Sequence, residues 1–325
     1  VIFQNVCLWY NARSNSHQLR TPRLIDNNDR GYCEFIDYQT CDSLSDLAYF
    51  YSSLGQLTAI MLVISGLDIH YENIIAHGKF PVMIDLECIM TPVIKGDANQ
   101  YPNVTNSLIL PRQTNIDKNQ KGINLSAISD NVNQQAWRKV PTWQKAGTDE
   151  MHLIREDGVF ITHGNTPRVT GQPAKAIDTF EEEFVDGFRM AYQLLLKHKE
   201  ELLLNNSPLF ALDSVETRYL FRSTSEYSIL LLESYHPILL TDQQKYHEHM
   251  NWLLEILPYR PYYQFVTQAE MADVMQGDIP YFSSQQKSQY IYDASGNPLA
   301  LPVDKNGETQ CRYMLYGLSE EHLHN

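Results

Sequence analysis

Between Leu44 and Leu62, apolar and small side chains recur at helical spacing, with Leu44, Leu47, Tyr51, Leu54, Thr58, Met61 and Leu62 on the repeat. Ser43-Leu-Ser-Asp46 at the start has the pattern of a capping box, and Gly66 just past the end marks a stop. The spacing predicts a buried helix over about 44–64. A chain of 325 residues, 43% of them apolar, has enough material to surround such a helix with a core.

The flanks read less evenly. Asp26-Asn27-Asn28-Asp29 suggests a turn before a strand from Tyr32 to Tyr38, while the rest of residues 1–40 shows no clear period. After the helix, Asn73–Ala76 and Phe80–Met90 are β-rich runs joined by His77-Gly78, as in a hairpin. Residues 91–148 are rich in Asn, Gln, Asp and Lys and exceed an ordinary connection, so they read as one long loop, functional or disordered. Met151–Glu156 and Val159–Thr162 flank Asp157-Gly158, a hairpin-turn signal.

Phe180, Phe184, Phe188, Tyr192 and Leu195 step by three or four, which predicts an amphipathic helix with Glu181, Glu182 and Glu183 near its positive end. Further helices are expected at about 213–233 and 242–257, the latter stopped by Pro258, and short strands in a tail with turns at 295–297 and 304–307. No internal repeat or low-complexity linker divides the chain, so a single continuous unit over 1–325 is expected.

Composition removes several classes of function. The longest apolar runs, Thr58–Leu67 and Tyr227–Leu232, are far shorter than the roughly 18 to 20 residues of a membrane span. A net charge of -14 disfavours nucleic acid as a partner. Five cysteines without a C-x-x-C pair, preceded by no signal peptide, suit a reducing cytoplasm. No Cys/His set has zinc spacing: His247-x-His249 and His322-x-His324 lack cysteine companions.

The densest constellation is Asp68-Ile-His70-Tyr-Glu-Asn73, followed past the hairpin by Asp85-Leu-Glu87. In phosphoryl transfer an Asp accepts the substrate hydroxyl proton, an Asn a few residues later holds a metal ion, and a second Asp holds it too. Asp68, Asn73 and Asp85 suit those three jobs. On a strand, Asp85 and Glu87 would share one face while Val82, Ile84, Leu86 and Cys88 took the other. Two neighbouring carboxylates repel, and a bound Mg²⁺ would relieve that. Taken singly each residue has a plainer reading, with Asp68 capping a turn, His70 solvated, and the acidic pair on a wet sheet face.

The stretch from Gly66 to Glu87 resembles the catalytic region of LanM-type (class II) lanthipeptide synthetase dehydratase domains, and more distantly the catalytic and metal loops of lipid kinases. The resemblance continues through Leu110-Pro111, Gly147–Met151, Asn165-Thr-Pro167, Gly187-Phe188, Arg218–Tyr227, His236-Pro237 and Gly277–Phe282 in the same order, over nearly the whole chain. Cys88 stands where a small hydroxyl residue is expected. The resemblance implies dehydration in two steps: ATP phosphorylates a Ser or Thr of a ribosomal precursor peptide, and phosphate elimination then leaves dehydroalanine or dehydrobutyrine.

By position, Asp68, His70, Asn73 and Asp85 match phosphorylation residues, with Asn73, Asp85 and Glu87 around the magnesium, and Arg218 and Thr224 match elimination residues. A planar guanidinium suits a departing phosphate. Without the resemblance the favoured readings are a surface helix salt bridge for Arg218 and a back-bonded helix hydroxyl for Thr224.

The implied fold is α+β and helix-dominated. It comprises a kinase-like catalytic lobe related to lipid kinases over 1–150, with an activation-type segment at about 91–148, and a hairpin plus helical extension over 151–325 that carries the elimination residues. No glycine-rich phosphate loop precedes Asp68, and Lys79 is the first lysine. Under the resemblance the nucleotide lobe lies upstream and a zinc-binding cyclase downstream, so a fragment is expected. Two other readings stand beside this one: a lipid-kinase-like phosphotransferase without elimination, and a truncated module that only binds a leader peptide.

Overall fold

A computed structural model describes residues 1–15, 17–27, 30–96, 102–111, 123–129, 134–160, 164–172, 177–212 and 215–324. In chain order these form α1 (Ile2–Arg13), β1 (Leu24–Asp26), β2 (Gly31–Cys33), α2 (Leu44–Val63), β3 (Ile74–His77), β4 (Phe80–Met83), β5 (Val93–Ile94), β6 (Gln134–Gln144) and β7 (His152–Phe160). There follow α3 (Glu181–Lys197), α4 (Lys199–Leu202), β8 (Glu216–Arg218), α5 (Thr224–Ser234), α6 (Pro237–Leu240) and α7 (Gln243–Met250). The last are α8 (Thr267–Val274), β9 (Ser283–Gln285), β10 (Val303–Lys305), α9 (Gly307–Gly317) and α10 (Glu320–His324). Helix outweighs strand, and the strands pair antiparallel two by two, which agrees with an α+β class.

The predicted central helix is present. Ser43 accepts the Asp46 N–H while the Asp46 carboxylate accepts the Ser43 N–H, closing the capping box. From Phe50 to Val63 every side chain of α2 is buried, polar ones included: Gln56 accepts the Tyr10 hydroxyl at 3.0 Å, and Thr58 donates to the Leu54 carbonyl at 2.8 Å. The Tyr10 bond ties α1 to α2. The helix α1, not expected from sequence, buries Ile2, Phe3, Val6, Cys7, Trp9 and Tyr10 along one side.

Helix α3 matches the predicted amphipathic helix and crosses α2 at backbone contact. A Cβ on Gly55 would stand 2.0 Å from the Phe184 carbonyl oxygen, and one on Gly187 would stand 2.0 Å from the Ser52 carbonyl oxygen. Neither position admits even alanine without moving a helix. The core built on this pair takes in α1, β3, α9 and the 88–90 segment, and a second cluster holds Tyr219, Phe221, Tyr263, Phe282 and Ile291. A third joins α5, α7 and α8 through Tyr227, Leu230, Leu231, Met250, Leu253 and Val274.

Several sequence expectations are corrected. The strand expected over 32–38 is only Gly31–Cys33, paired with Leu24–Asp26; Asn28 and Asp29 of the expected turn lie outside the described residues. Asp157-Gly158 is not a hairpin turn: β7 runs straight through it, Asp157 pairs with Lys139 and Val159 with Gln135, and the reversal lies at 145–151. Residues 136–138 of β6 thus stand opposite the single Gly158 of β7, so this glycine faces a bulge in the partner strand.

The segment read as one long loop accordingly contains β5 and all of β6, although much of 97–133 lies outside the described residues, as do 161–163. The helix expected over 213–233 begins only at Thr224, with β8 before it and Asp213 and Ser214 outside the described residues. That expected over 242–257 is α7 continued by a 3₁₀ turn over Asn251–Ile256. The tail ends in helices, Asn306 capping α9 through the Thr309 N–H, where a turn is expected from sequence.

A buried ion pair joins the second and third clusters. Arg222 bonds both Glu270 oxygens, Nε to Oε1 at 2.8 Å and Nη2 to Oε2 at 3.2 Å, and gives a further bond to the Leu253 carbonyl at 2.6 Å. The Tyr227 hydroxyl donates to Glu270 Oε1 at 2.5 Å, and Glu270 is wholly enclosed. Burial and the neighbouring carboxylate hold that phenol protonated, its pKa raised.

Two stability outcomes follow. Gly55→Ala and Gly187→Ala should each lower the unfolding free energy by at least about 2 kcal/mol in chemical denaturation, since the added methyl meets backbone. Glu270→Ala should cost about 3 to 5 kcal/mol, because it strands a buried guanidinium. A glycine variant as stable as the parent would show that α2 and α3 separate freely.

Candidate active site

The loop after α2 carries the Asp-x-His-x-x-Asn run. Its course is set by backbone bonds: Gly66 N–H to the Met61 carbonyl, Leu67 N–H to the Cys88 carbonyl at 2.9 Å, and Ile69 N–H to the Ser107 carbonyl at 2.8 Å. Asp68 therefore turns in left-handed backbone, at φ +61°, and Asp85 does the same at φ +53°. Asp tolerates that region better than most residues, and such conformations gather at functional sites. Asn73 is buried and ties the loop to itself, its Nδ2 donating to the Asp68 carbonyl at 2.8 Å. The Ile84 N–H in turn bonds the Asn73 carbonyl, so the 84–87 segment folds back over the loop.

Strand β4 ends at Met83, so the two acids do not share a strand face as expected. The left-handed Asp85 breaks the extended course. Asp85 is exposed and Glu87 partly so, and Glu87 turns to a residue 131 positions away: Arg218 Nη1 stands 2.5 Å from its Oε1. The backbone repeats the link, with Arg218 N–H and the Thr217 hydroxyl both donating to the Glu87 carbonyl, at 2.8 and 2.9 Å. Arg218 lies on β8 and not on a helix, and its side chain is 17% exposed, which sets aside the surface salt-bridge reading. Its Nε is buried and meets no acceptor among the described residues.

Burial pushes the Asp68 carboxyl up to about 6, with the Glu87 and Asp85 carboxylates adding to the rise and His70 and Arg218 opposing it. Four charged groups, Glu87, Asp85, His70 and Arg218, thus lie close enough to act on Asp68. His70 Nδ1 accepts the Glu72 N–H at 3.2 Å, which leaves Nε2 to carry the proton of the neutral ring, 4.0 Å from Asp68 Oδ2. Asp68, His70, Asn73, Asp85, Glu87 and Arg218 therefore form one cluster. Thr224 stands apart: it opens α5, and no bond among the described residues joins its hydroxyl to the others.

Among the described residues no three His, Cys, Asp or Glu side chains stand grouped to hold a metal ion. The amide of Asn73 with the carboxylates of Asp85 and Glu87 is a hard-oxygen set of the kind magnesium takes, although Glu87 is here engaged by Arg218. The two His-x-His pairs have other partners: His249 meets the Leu230 carbonyl at 2.9 Å and His322 the Tyr192 hydroxyl at 3.0 Å. Cys88 is a buried thiol, held protonated by desolvation. The pairing of Glu87 with Arg218 has no sequence signal, since neither spacing nor period links positions so far apart.

The Asp68 shift has a stability consequence. Its folded pKa lies above the ordinary 3.8, so the folded state favours the protonated form. The penalty of the charge is absent below about pH 4, grows as pH rises through about 6, and is complete above. Asp68→Asn, which suits the same backbone, should raise stability by about 1 to 3 kcal/mol at pH 7 in chelator-treated buffer and by nothing near pH 4, read from denaturant midpoints. A gain independent of pH would contradict the burial.

Residues 1–285 match the model of a family described as Domain of unknown function (DUF4135). The lacticin 481/lactococcin biosynthesis protein LcnDR2 of Lactococcus lactis subsp. lactis is 24% identical over 293 residues, an alignment covering 85% of this chain and 30% of that protein. The chain thus spans less than a third of this relative's length. No helix among the described residues is long and apolar enough to cross a membrane. With most of its length matched, this chain belongs to the DUF4135 family, and its resemblance to LanM-type lanthipeptide synthetases is borne out.

Proposed function

We propose that this chain is the catalytic part of an ATP-dependent dehydratase that acts on Ser and Thr of a ribosomal precursor peptide in lanthipeptide biosynthesis. One observation carries the reading: the Glu87–Arg218 ion pair joins a phosphate-seeking guanidinium to the loop bearing Asp68, Asn73 and Asp85. A phosphotransferase that only transfers needs the acids and the amide. An arginine with an unmatched donor beside them suits a second step on the phosphorylated product.

In the first step Asp68 accepts the proton of the substrate hydroxyl as that oxygen bonds the terminal phosphorus of ATP and the bond from that phosphorus to the bridging oxygen breaks, ADP leaving; His70 Nε2 stands 4.0 Å from the Asp68 carboxylate. Asn73 and Asp85, with Glu87 at their side, would hold magnesium, which when bound neutralises charge on the nucleotide phosphates. In the second step a base removes the α-proton, the electron pair forms the Cα–Cβ double bond, and the Cβ–O bond breaks with phosphate departing. Arg218 takes up the charge on that phosphate through paired N–H bonds. Thr224 would add a hydroxyl donor only if α5 brought it to the phosphate. ATP, the precursor peptide, an upstream nucleotide lobe, a cyclase domain and a cytoplasmic setting belong to the same proposal.

In the intact natural protein, Asp85→Asn should abolish phosphopeptide formation, followed by mass spectrometry of the precursor peptide. Arg218→Ala should leave phosphorylation in place, slow elimination by about a hundredfold or more, and let phosphopeptide accumulate. Phosphopeptide formed at the parental rate by Asp85→Asn would end the reading. Phosphorylated but never dehydrated product, in parent and variants alike, would point to a plain phosphotransferase.

A further inference from the structure

Tyr281 sits in the Gly277–Phe282 stretch and has no part in the chemistry above, yet it lies against Arg218. Strands β8 and β9 pair with Arg218 opposite Ser283 and Glu216 opposite Gln285, and the pairing continues past β9 with the Tyr219 N–H on the Phe282 carbonyl. In antiparallel register Glu216 and Arg218 share one face, and Tyr281, two residues before Ser283, falls on that face diagonal to Arg218. The Arg218 Cζ stands 5.4 Å from the Tyr281 ring centroid, and the Tyr281 hydroxyl donates to Glu216 Oε1 at 3.2 Å. The ring thus reaches back across the arginine to a carboxylate two residues upstream.

Arg218 is held from two sides. Glu87 takes Nη1 at one edge of the guanidinium, the Tyr281 ring lies near it, and Nε is left buried without an acceptor. A guanidinium seated against an aromatic ring keeps its donors in a defined plane, where a free one would sample several rotamers. We propose that Tyr281 is a positioning residue for phosphate elimination, its ring setting the plane in which the guanidinium of Arg218 meets the leaving phosphate. Tyr281 touches no reacting atom. Its effect passes through Arg218, and the inference rests on the dehydratase reading.

The test uses the intact natural protein and a supplied phosphoserine peptide, so that elimination is measured apart from phosphorylation. Tyr281→Leu removes the ring from a position 37% exposed, where a smaller apolar side chain is tolerated. It should slow elimination by about tenfold to a hundredfold, as a misplaced catalytic group does. Phosphorylation of the unmodified peptide should stay at the parental rate, which a general structural defect would not allow. Tyr281→Phe keeps the ring and loses only the bond to Glu216, so it should recover most of the elimination rate.

Equal elimination by parent and Tyr281→Leu would overturn the inference, as would a phenylalanine variant as slow as the leucine one, or a parallel loss of phosphorylation. A parent that eliminates no phosphate from the supplied peptide would instead sink the dehydratase reading, and this inference with it.

Discussion

The contact of α2 with α3 is made backbone to backbone, through Gly55 and Gly187, and the position of the site depends on it. Because α2 is enclosed along most of its length, its C-terminal end is a rigid anchor inside the core. Two strands of contact leave from there: the Ile64 carbonyl receives the Met90 N–H, and the Leu67 N–H gives to the Cys88 carbonyl. These bonds bring the segment after Asp85 alongside the segment containing Asp68. Loops are ordinarily the mobile part of a fold, and here both are pinned to its least mobile helix.

A second constraint is electrostatic. Burial raises the proton affinity of Asp68, and the nearby Glu87 and Asp85 carboxylates add to the rise. A cluster of this kind is costly unless cations answer it. Arg218 supplies one within the chain, and its strand is delivered to Glu87 by two backbone-carbonyl bonds as well as by the ion pair. The buried Arg222–Glu270 pair, four residues further on, holds the other end of the 219–227 segment in the second and third clusters. The arginine at the site is therefore strung between two anchored points.

Local sequence specifies structure where its period is clean. The 3.6-residue spacing from Leu44 and from Phe180 marks both long helices, although α3 buries one stripe and α2 nearly its whole circumference beyond Phe50. The Asp68–Glu87 constellation was visible because its chemistry is compressed into twenty residues. Expectation failed where one local signal serves two structures. Asp157-Gly158 suits a turn or a bulge equally, and only the register of β6 against β7 chooses between them. Asp85-Leu-Glu87 alternates like a strand, yet the chain leaves β4 at Met83.

The sequence by itself determined the two long helices, the acidic loop with its amide and histidine, and the likeness to a family of peptide-modifying enzymes, since each depends on residues close together in the chain. The tertiary structure alone decided that Arg218 belongs with Glu87 and that Tyr281 lies against Arg218. Those pairings join segments 131 and 63 residues apart, and no local preference of the backbone carries information over such a distance. They arise only when the packing of the separate core clusters brings β8 beneath the acidic loop.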